Sequence, residues 1–257
     1  MKKLLILSLL FFLTSSFLIG QISLSAKYSV TQPISISGEG GKPIAMILNY
    51  EGRIFHQSSK VLLYMRPLFL DEYPEGKITI TYPGGYSTYT FSKDSMHLPE
   101  LYDTDSLRKW AGYNNSNSKL NEYITFKYNP LYWKWQILPE TKIINGFNCQ
   151  NAKYYYPNKT TEADVFWDIW FSKDIPFAFS FMSLQNAPGL VVEAENRQAN
   201  YSFSLKSLQI DTQIPSDTFW PPMFKDAKFT DLGTPQTPQQ KKVIKKQDKM
   251  LDIMVQQ

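Results

Sequence analysis

The strongest candidates for chemistry in this 257-residue chain are acidic. Glu193 and Glu195 stand two apart in LVVEAE (Leu190–Glu195), so on an extended backbone they share a face. Two carboxylates on one face can work as general acid and base, or offer oxygens to calcium. Asp164 and Asp168 present the same ligand chemistry. The competing reading, and the commoner use of such residues, is a solvated strand face. A cysteine nucleophile needs a base beside it, and zinc needs clustered His and Cys. Cys149 is the single cysteine, and His56 and His97 are the two histidines, far from it in sequence. No catalytic residue, metal site or cofactor is therefore assigned, and Cys149 is expected to be a small buried hydrophobe. A lone cysteine also leaves an exported chain without an internal disulfide. Nucleophile elbows, phosphate loops and dinucleotide fingerprints are missing: Gly38-Glu39-Gly40-Gly41 lacks the Lys-Ser/Thr of a phosphate loop.

Composition narrows the classes of function. Hydrophobic residues make up 43%, enough for a packed core, and the formal net charge is +4. Lys2 and Lys3 sit in the opening segment, and residues 241–257 hold five lysines against two aspartates. The body between is close to neutral, which argues against a nucleic-acid surface. Residues 1–20, MKKLLILSLLFFLTSSFLIG, have the basic start, apolar run and small residues of a secretory leader, with cleavage after Gly20 or, alternatively, Ser25. The purely apolar stretch Leu4–Leu13 is short for a membrane span, and no later stretch is long and apolar enough. An exported protein is expected, in the periplasm, with the cell surface or secretion as alternatives.

The elements that must position these residues are mostly strands. KITITYPGGYSTYTF (Lys77–Phe91) alternates on both sides of Pro83-Gly84-Gly85, a hairpin pattern. AMILNYEGRIF (Ala45–Phe55) predicts a second hairpin turning at Asn49–Gly52. YWKWQI (Tyr132–Ile137), NAKYYYP (Asn151–Pro157), VFWDIWF (Val165–Phe171), the stretch opening at Leu190, and RQANYSFSLKSLQI (Arg197–Ile210) all read as strands. VFWDIWF is bulky on both faces, which predicts a central or covered strand. Pro188-Gly189 suits the tight entry to the Leu190 strand. A short helix is predicted within Ser106–Asn115, and an amphipathic basic helix or frayed tail within 241–257. The expected fold is mainly β: one curved antiparallel sheet, a half-open barrel or two-layer sandwich, with one or two short helices. The expected organisation is a leader at 1–20, one antiparallel β domain at 21–234, and a linker with a basic amphipathic tail at 235–257.

Three blocks of the third quarter resemble the GLPGLI family of exported proteins from Gram-negative bacteria. They are WQILPETKIINGFNCQNA (Trp135–Ala152), DIWFSKDIPF (Asp168–Phe177) and APGLVVE (Ala187–Glu193). The matching positions are Glu140, Thr141, Lys142, Gly146, Phe147, Cys149 and Ala152, then Asp174, Ile175 and Pro176, then Pro188, Gly189 and Leu190. Asn186, Ala187 and Val191 depart from the family's pattern. The resemblance implies export and a β-rich domain, and supplies no activity.

Three functions follow as expectations. One is a non-enzymatic binding or carrier module of the cell envelope, holding an apolar or extended ligand in the concave face of the sheet. Another is an accessory or structural partner of an outer-membrane protein assembly. The third is a hydrolase using Glu193 or Asp168.

Overall fold

The computed structural model describes residues 22–90, 93, 96–113, 122–128, 134–155, 165–182, 184–196 and 200–233. The expected leader and basic tail lie outside them. Two-residue periodicity governs the chain. The strands are β1 (Leu24–Ser37), β2 (Pro43–Gln57), β3 (Lys60–Pro67), β4 (Lys77–Tyr82), β5 (Gly85–Thr90), β6 (His97–Asp103), β7 (Arg108–Tyr113), β8 (Glu122–Lys127), β9 (Lys134–Ile144), β10 (Phe147–Tyr155), β11 (Val165–Ser172), β12 (Leu190–Asn196), β13 (Tyr201–Ile210) and β14 (Phe229–Asp231). Twelve form one curved sheet, not closed into a barrel, in the order β14-β8-β7-β6-β3-β2-β1-β13-β12-β11-β10-β9. The β9–β13 meander is joined to the amino-terminal strands by β1, which pairs with β13 on one side and β2 on the other. β4 and β5 form the separate hairpin that the sequence predicts around Pro83-Gly84.

The sheet is mixed rather than wholly antiparallel: β14 runs parallel to β8, pairing Thr230 with Ile124. The chain leaving β13 in the middle of the sheet crosses to its far edge to place β14 there. That crossover carries a short 3₁₀ turn at Ser216–Phe219 and the one α-helix among the described residues, α1 (Pro222–Lys225). Two sequence expectations are corrected. The segment Ser106–Asn115 is not helical where described, because Arg108–Tyr113 is strand β7, ladder-bonded between β6 and β8. Nor does the chain turn at Asn49–Gly52, where β2 runs straight through. Gly52 answers a packing need instead, since a Cβ there would meet the Phe181 ring at 2.5 Å.

The inner face of the sheet holds the main core. Alternate residues of β1 (Leu24, Ala26, Tyr28, Val30) and β13 (Tyr201, Phe203, Leu205) bury there. The chain between β11 and β12 folds over that face with Phe177, Phe179, Phe181 and Leu184. Tyr28, Phe181 and Phe203 stack edge-on within 5.2–5.8 Å, and the Tyr28 hydroxyl donates to the Val191 carbonyl at 2.8 Å. Offset aromatic contacts of this kind add to plain area burial. Aromatic side chains of this same chain thus fill the inner face of the sheet.

The outer face is divided. Over β3, β6 and β7 the crossover segment covers it, and Ile214, Phe219 and Phe224 bury against Leu62 and Leu101. β3 is therefore apolar on both faces, with Val61, Leu63 and Met65 turned to one core and Leu62 to the other. From β1 to β9 the outer face carries a polar groove.

Candidate functional site

Alternation that sends Trp167, Ile169 and Phe171 inward must send Asp168 and Trp170 outward. The same rule turns Asn151 and Lys153 of β10, Glu193 and Glu195 of β12, Ser202 and Ser204 of β13, and Ser29 and Thr31 of β1 to one side. Register then lines them up. Lys153, Asp168, Glu195, Ser202 and Thr31 are successive cross-strand partners, and Asn151, Trp170, Glu193, Ser204 and Ser29 form the parallel row beside them. The five strands of each row span about 19 Å at the usual strand spacing. β9 closes one side with Leu138, Glu140 and Lys142, and the whole encloses a groove of about 640 Å³.

Its hydrogen bonds run across strands. Lys142 Nζ lies 3.0 Å from Glu193 Oε2 and 4.3 Å from the centroid of the Trp170 ring. Asn151, nearly buried, donates from Nδ2 to Asp168 Oδ1 at 2.7 Å and to the Ile169 carbonyl at 3.2 Å. Glu193 and Glu195, paired on sequence grounds, do share a face, and Asp168 stands directly opposite Glu195. Among the described residues no three His, Cys, Asp or Glu side chains converge to hold a metal ion, and Asp164 lies outside them.

The family-like positions gather at one end of this region. Glu140, Thr141 and Lys142 lie on β9, and Asn145-Gly146 makes the tight turn into β10. Both turn residues have positive φ, 51° and 84°, as a two-residue hairpin of matching twist requires. Cys149 sits between Lys142 on β9 and Ser172 on β11. Asp174 follows β11, and together with Thr141, Lys142 and Cys149 it lines a second depression of about 500 Å³. Ile175 is buried, and its carbonyl accepts the Leu190 N–H at 2.9 Å. Pro176 follows it, exposed. Pro188 leads into Gly189, where a Cβ would stand 2.1 Å from the Ser172 carbonyl oxygen. Only glycine allows that approach, so Gly189 is required at the entry to β12. These residues build the frame of the groove's end.

Cys149 is buried, and burial pushes its thiol pKa up, away from the thiolate a nucleophile needs. The histidines are elsewhere: His97 stacks on Tyr50 at 5.5 Å, and His56 lies 5.5 Å from Phe177. Sequence reasoning missed Trp170 as a site residue, along with Asn151 and Lys153. The missed signal was the outward phase of two neighbouring strands: Asn151 and Lys153 share a parity on β10, Asp168 and Trp170 on β11.

No family model matches the chain, and no curated protein matches it. Among solved structures, the chain is similar to PNGF-II in a C2 crystal form, at 14% identity and a TM-score of 0.42, over 80% of this chain and 31% of that one. The P21 form gives 13% identity with the same TM-score and coverage. A DUF1329 family protein from Desulfovibrio piger ATCC 29098 gives 11% identity and a TM-score of 0.27, over 78% of this chain and 90% of that one. The chain spans about a third of the length of PNGF-II. Likeness this distant carries no argument about activity. Among the described residues no helix is long and apolar enough to cross a membrane.

Proposed function

We propose that this chain is an exported binding module of the cell envelope whose outer-face groove holds an extended, hydroxyl-rich ligand, a glycan strand, without cleaving it. The observation that carries the reading is the pair of cross-strand rows: one indole ring set among carboxylates, an amide, hydroxyls and two ammonium groups in an open groove. A planar ring supplies apolar area to a sugar face, and carboxylates and amides supply acceptors and donors for hydroxyls. Binding is favoured over hydrolysis because two of the acids are already engaged, Glu193 by Lys142 and Asp168 by Asn151. The GLPGLI resemblance belongs to the same reading, and the convergence of its three blocks at one end of the groove supports it.

Calorimetric titration of the exported protein with a panel of oligosaccharides tests this. At least one neutral or amine-bearing oligomer is expected to bind, and Trp170→Ala is expected to weaken it by roughly tenfold, the worth of one aromatic platform. Because Trp170 is only part-buried, the melting temperature should move little. An unresponsive panel, or a Trp170→Ala variant that binds as well as the parent, would sink the proposal. Shortened sugar products would replace it with the hydrolase reading.

Export makes a further expectation. Leu24 is wholly buried and pairs with both Ile210 and His56. Cleavage after Ser25 would strip the first two ladder residues, Leu24 and Ser25, from β1, whereas cleavage after Gly20 leaves the strand whole. Intact-mass measurement of the exported protein is expected to place its amino terminus at Gln21. A terminus at Ala26 would contradict the observed pairing.

A further inference from the structure

We infer that Lys142 fills a cation seat in the groove, and that the glycan strand carries free amino groups which take its place; this rests on the glycan reading above. A seat for a cation needs an aromatic face and a carboxylate within reach of one point. Trp170 and Glu193 are register partners on β11 and β12, so ring and carboxylate stand side by side. Lys142 reaches them from β9 and puts its ammonium 4.3 Å from the ring centroid and 3.0 Å from the carboxylate oxygen. Its side chain is 42% exposed and Glu193 is 37% exposed, so water reaches both and the lysine can swing away. An exposed pair of this kind is worth roughly two- to fivefold in an equilibrium, little enough for a ligand amine to displace.

The charge around the seat points the same way. Four carboxylates line the groove, Glu140, Asp168, Glu193 and Glu195, against the ammonium groups of Lys142 and Lys153. Glu140 and Glu195 are exposed and make no ion pair among the described residues. A strand bearing carboxylates or sulfates would be repelled here, and a wholly neutral one would leave those two acids unused. A polymer with repeated amino groups uses the seat and both open acids together.

The competing account is that Lys142 simply pins β9 to β12. Lys142→Met separates the two, since it keeps an unbranched apolar stem against Trp170 and removes the charge. The probes are the tetramers of glucosamine and of N-acetylglucosamine, with tetralysine as the peptide control, titrated into the exported protein at pH 6. The glucosamine tetramer is expected to bind at least tenfold tighter than the acetylated one, and to weaken with added salt. Glu195→Gln is expected to cost about threefold for the amine-bearing sugar. Lys142→Met is expected to strengthen binding by roughly two- to fivefold, because an internal competitor has gone.

Equal affinity for the two sugars would end the amine assignment and leave the glycan reading standing. Failure of both sugars would end the glycan reading as well. Tetralysine binding as tightly as the glucosamine tetramer would overturn the sugar assignment, and unchanged or weaker binding by Lys142→Met would overturn the seat.

Discussion

Gly189→Ala is expected to destabilise the protein by about 3 kcal/mol or more, at the upper end of overpacking costs. The added Cβ would stand 2.1 Å from the Ser172 carbonyl oxygen and 2.9 Å from its carbon. Both are backbone atoms, so no side chain can rotate aside. Ser172 and Leu190 are the terminal register pair of β11 and β12, and the Leu190 N–H already bonds Ile175. Relief would have to come from opening that ladder end, and with it the entry to the strand that carries Glu193 and Glu195. Gly84→Ala is the control. Gly84 has φ +95° at the tip of the β4–β5 hairpin, and a Cβ there meets nothing within 4 Å. It carries backbone strain alone, about 1 kcal/mol. Urea denaturation of both variants decides the matter, and equal midpoints would show that the β11–β12 approach is looser than described.

Lys109→Met is expected to cost about 3–5 kcal/mol, the range for breaking a buried ion pair on one side. Lys109 is only 4% exposed, and its ammonium lies 2.5 Å from Glu100 Oε1, while the Tyr102 hydroxyl donates to Glu100 Oε2 at 2.9 Å. The same ammonium sits 4.9 Å from the centroid of the Tyr102 ring. Removing it leaves a largely desolvated carboxylate facing aromatic rings. Lys109→Met with Glu100→Gln is expected to recover more than half of the loss, since the amide oxygen still accepts from Tyr102 and no buried charge remains. A melting-temperature drop of roughly 6–20 °C for the single variant, and partial return for the double, is the signature. A single variant as stable as the parent would show that the pair contributes nothing, and a double variant no better than the single would show that the loss is one of packing.

These two sites show what local sequence conveys and what it does not. Lys109 lies in SLRKWAGYNN, where a cap at Asp105 or Ser106 and a stop at Gly112 predict a short helix. Cross-strand pairing with Tyr102 instead fixes its side on β7 and turns the lysine inward. A helix expectation weighs only near neighbours, and the ladder to β6 and β8 outweighs them. Gly52 misled for the same reason, because its need is set by Phe181, more than a hundred residues later.

The acids of the groove were visible as residues and as a shared face. Their company was not. Trp170 joins Glu193, and Lys153 joins Asp168, only once β10, β11 and β12 take their register.

By itself the sequence determined the local conformation: alternating side chains over short runs can bury one face only if the backbone is extended, and Asn-Gly or Pro-Gly pairs admit the turns between them. It thereby set a mainly β protein, the β4–β5 hairpin, and the shared face of Glu193 and Glu195. Tertiary structure alone decided that β1 joins the two halves of the sheet, that the chain's own phenylalanines occupy the inner face, and that Lys142 rests on Trp170. Those outcomes depend on contacts between residues far apart along the chain, whose choice is settled by the joint packing of all the strands rather than by any window of sequence.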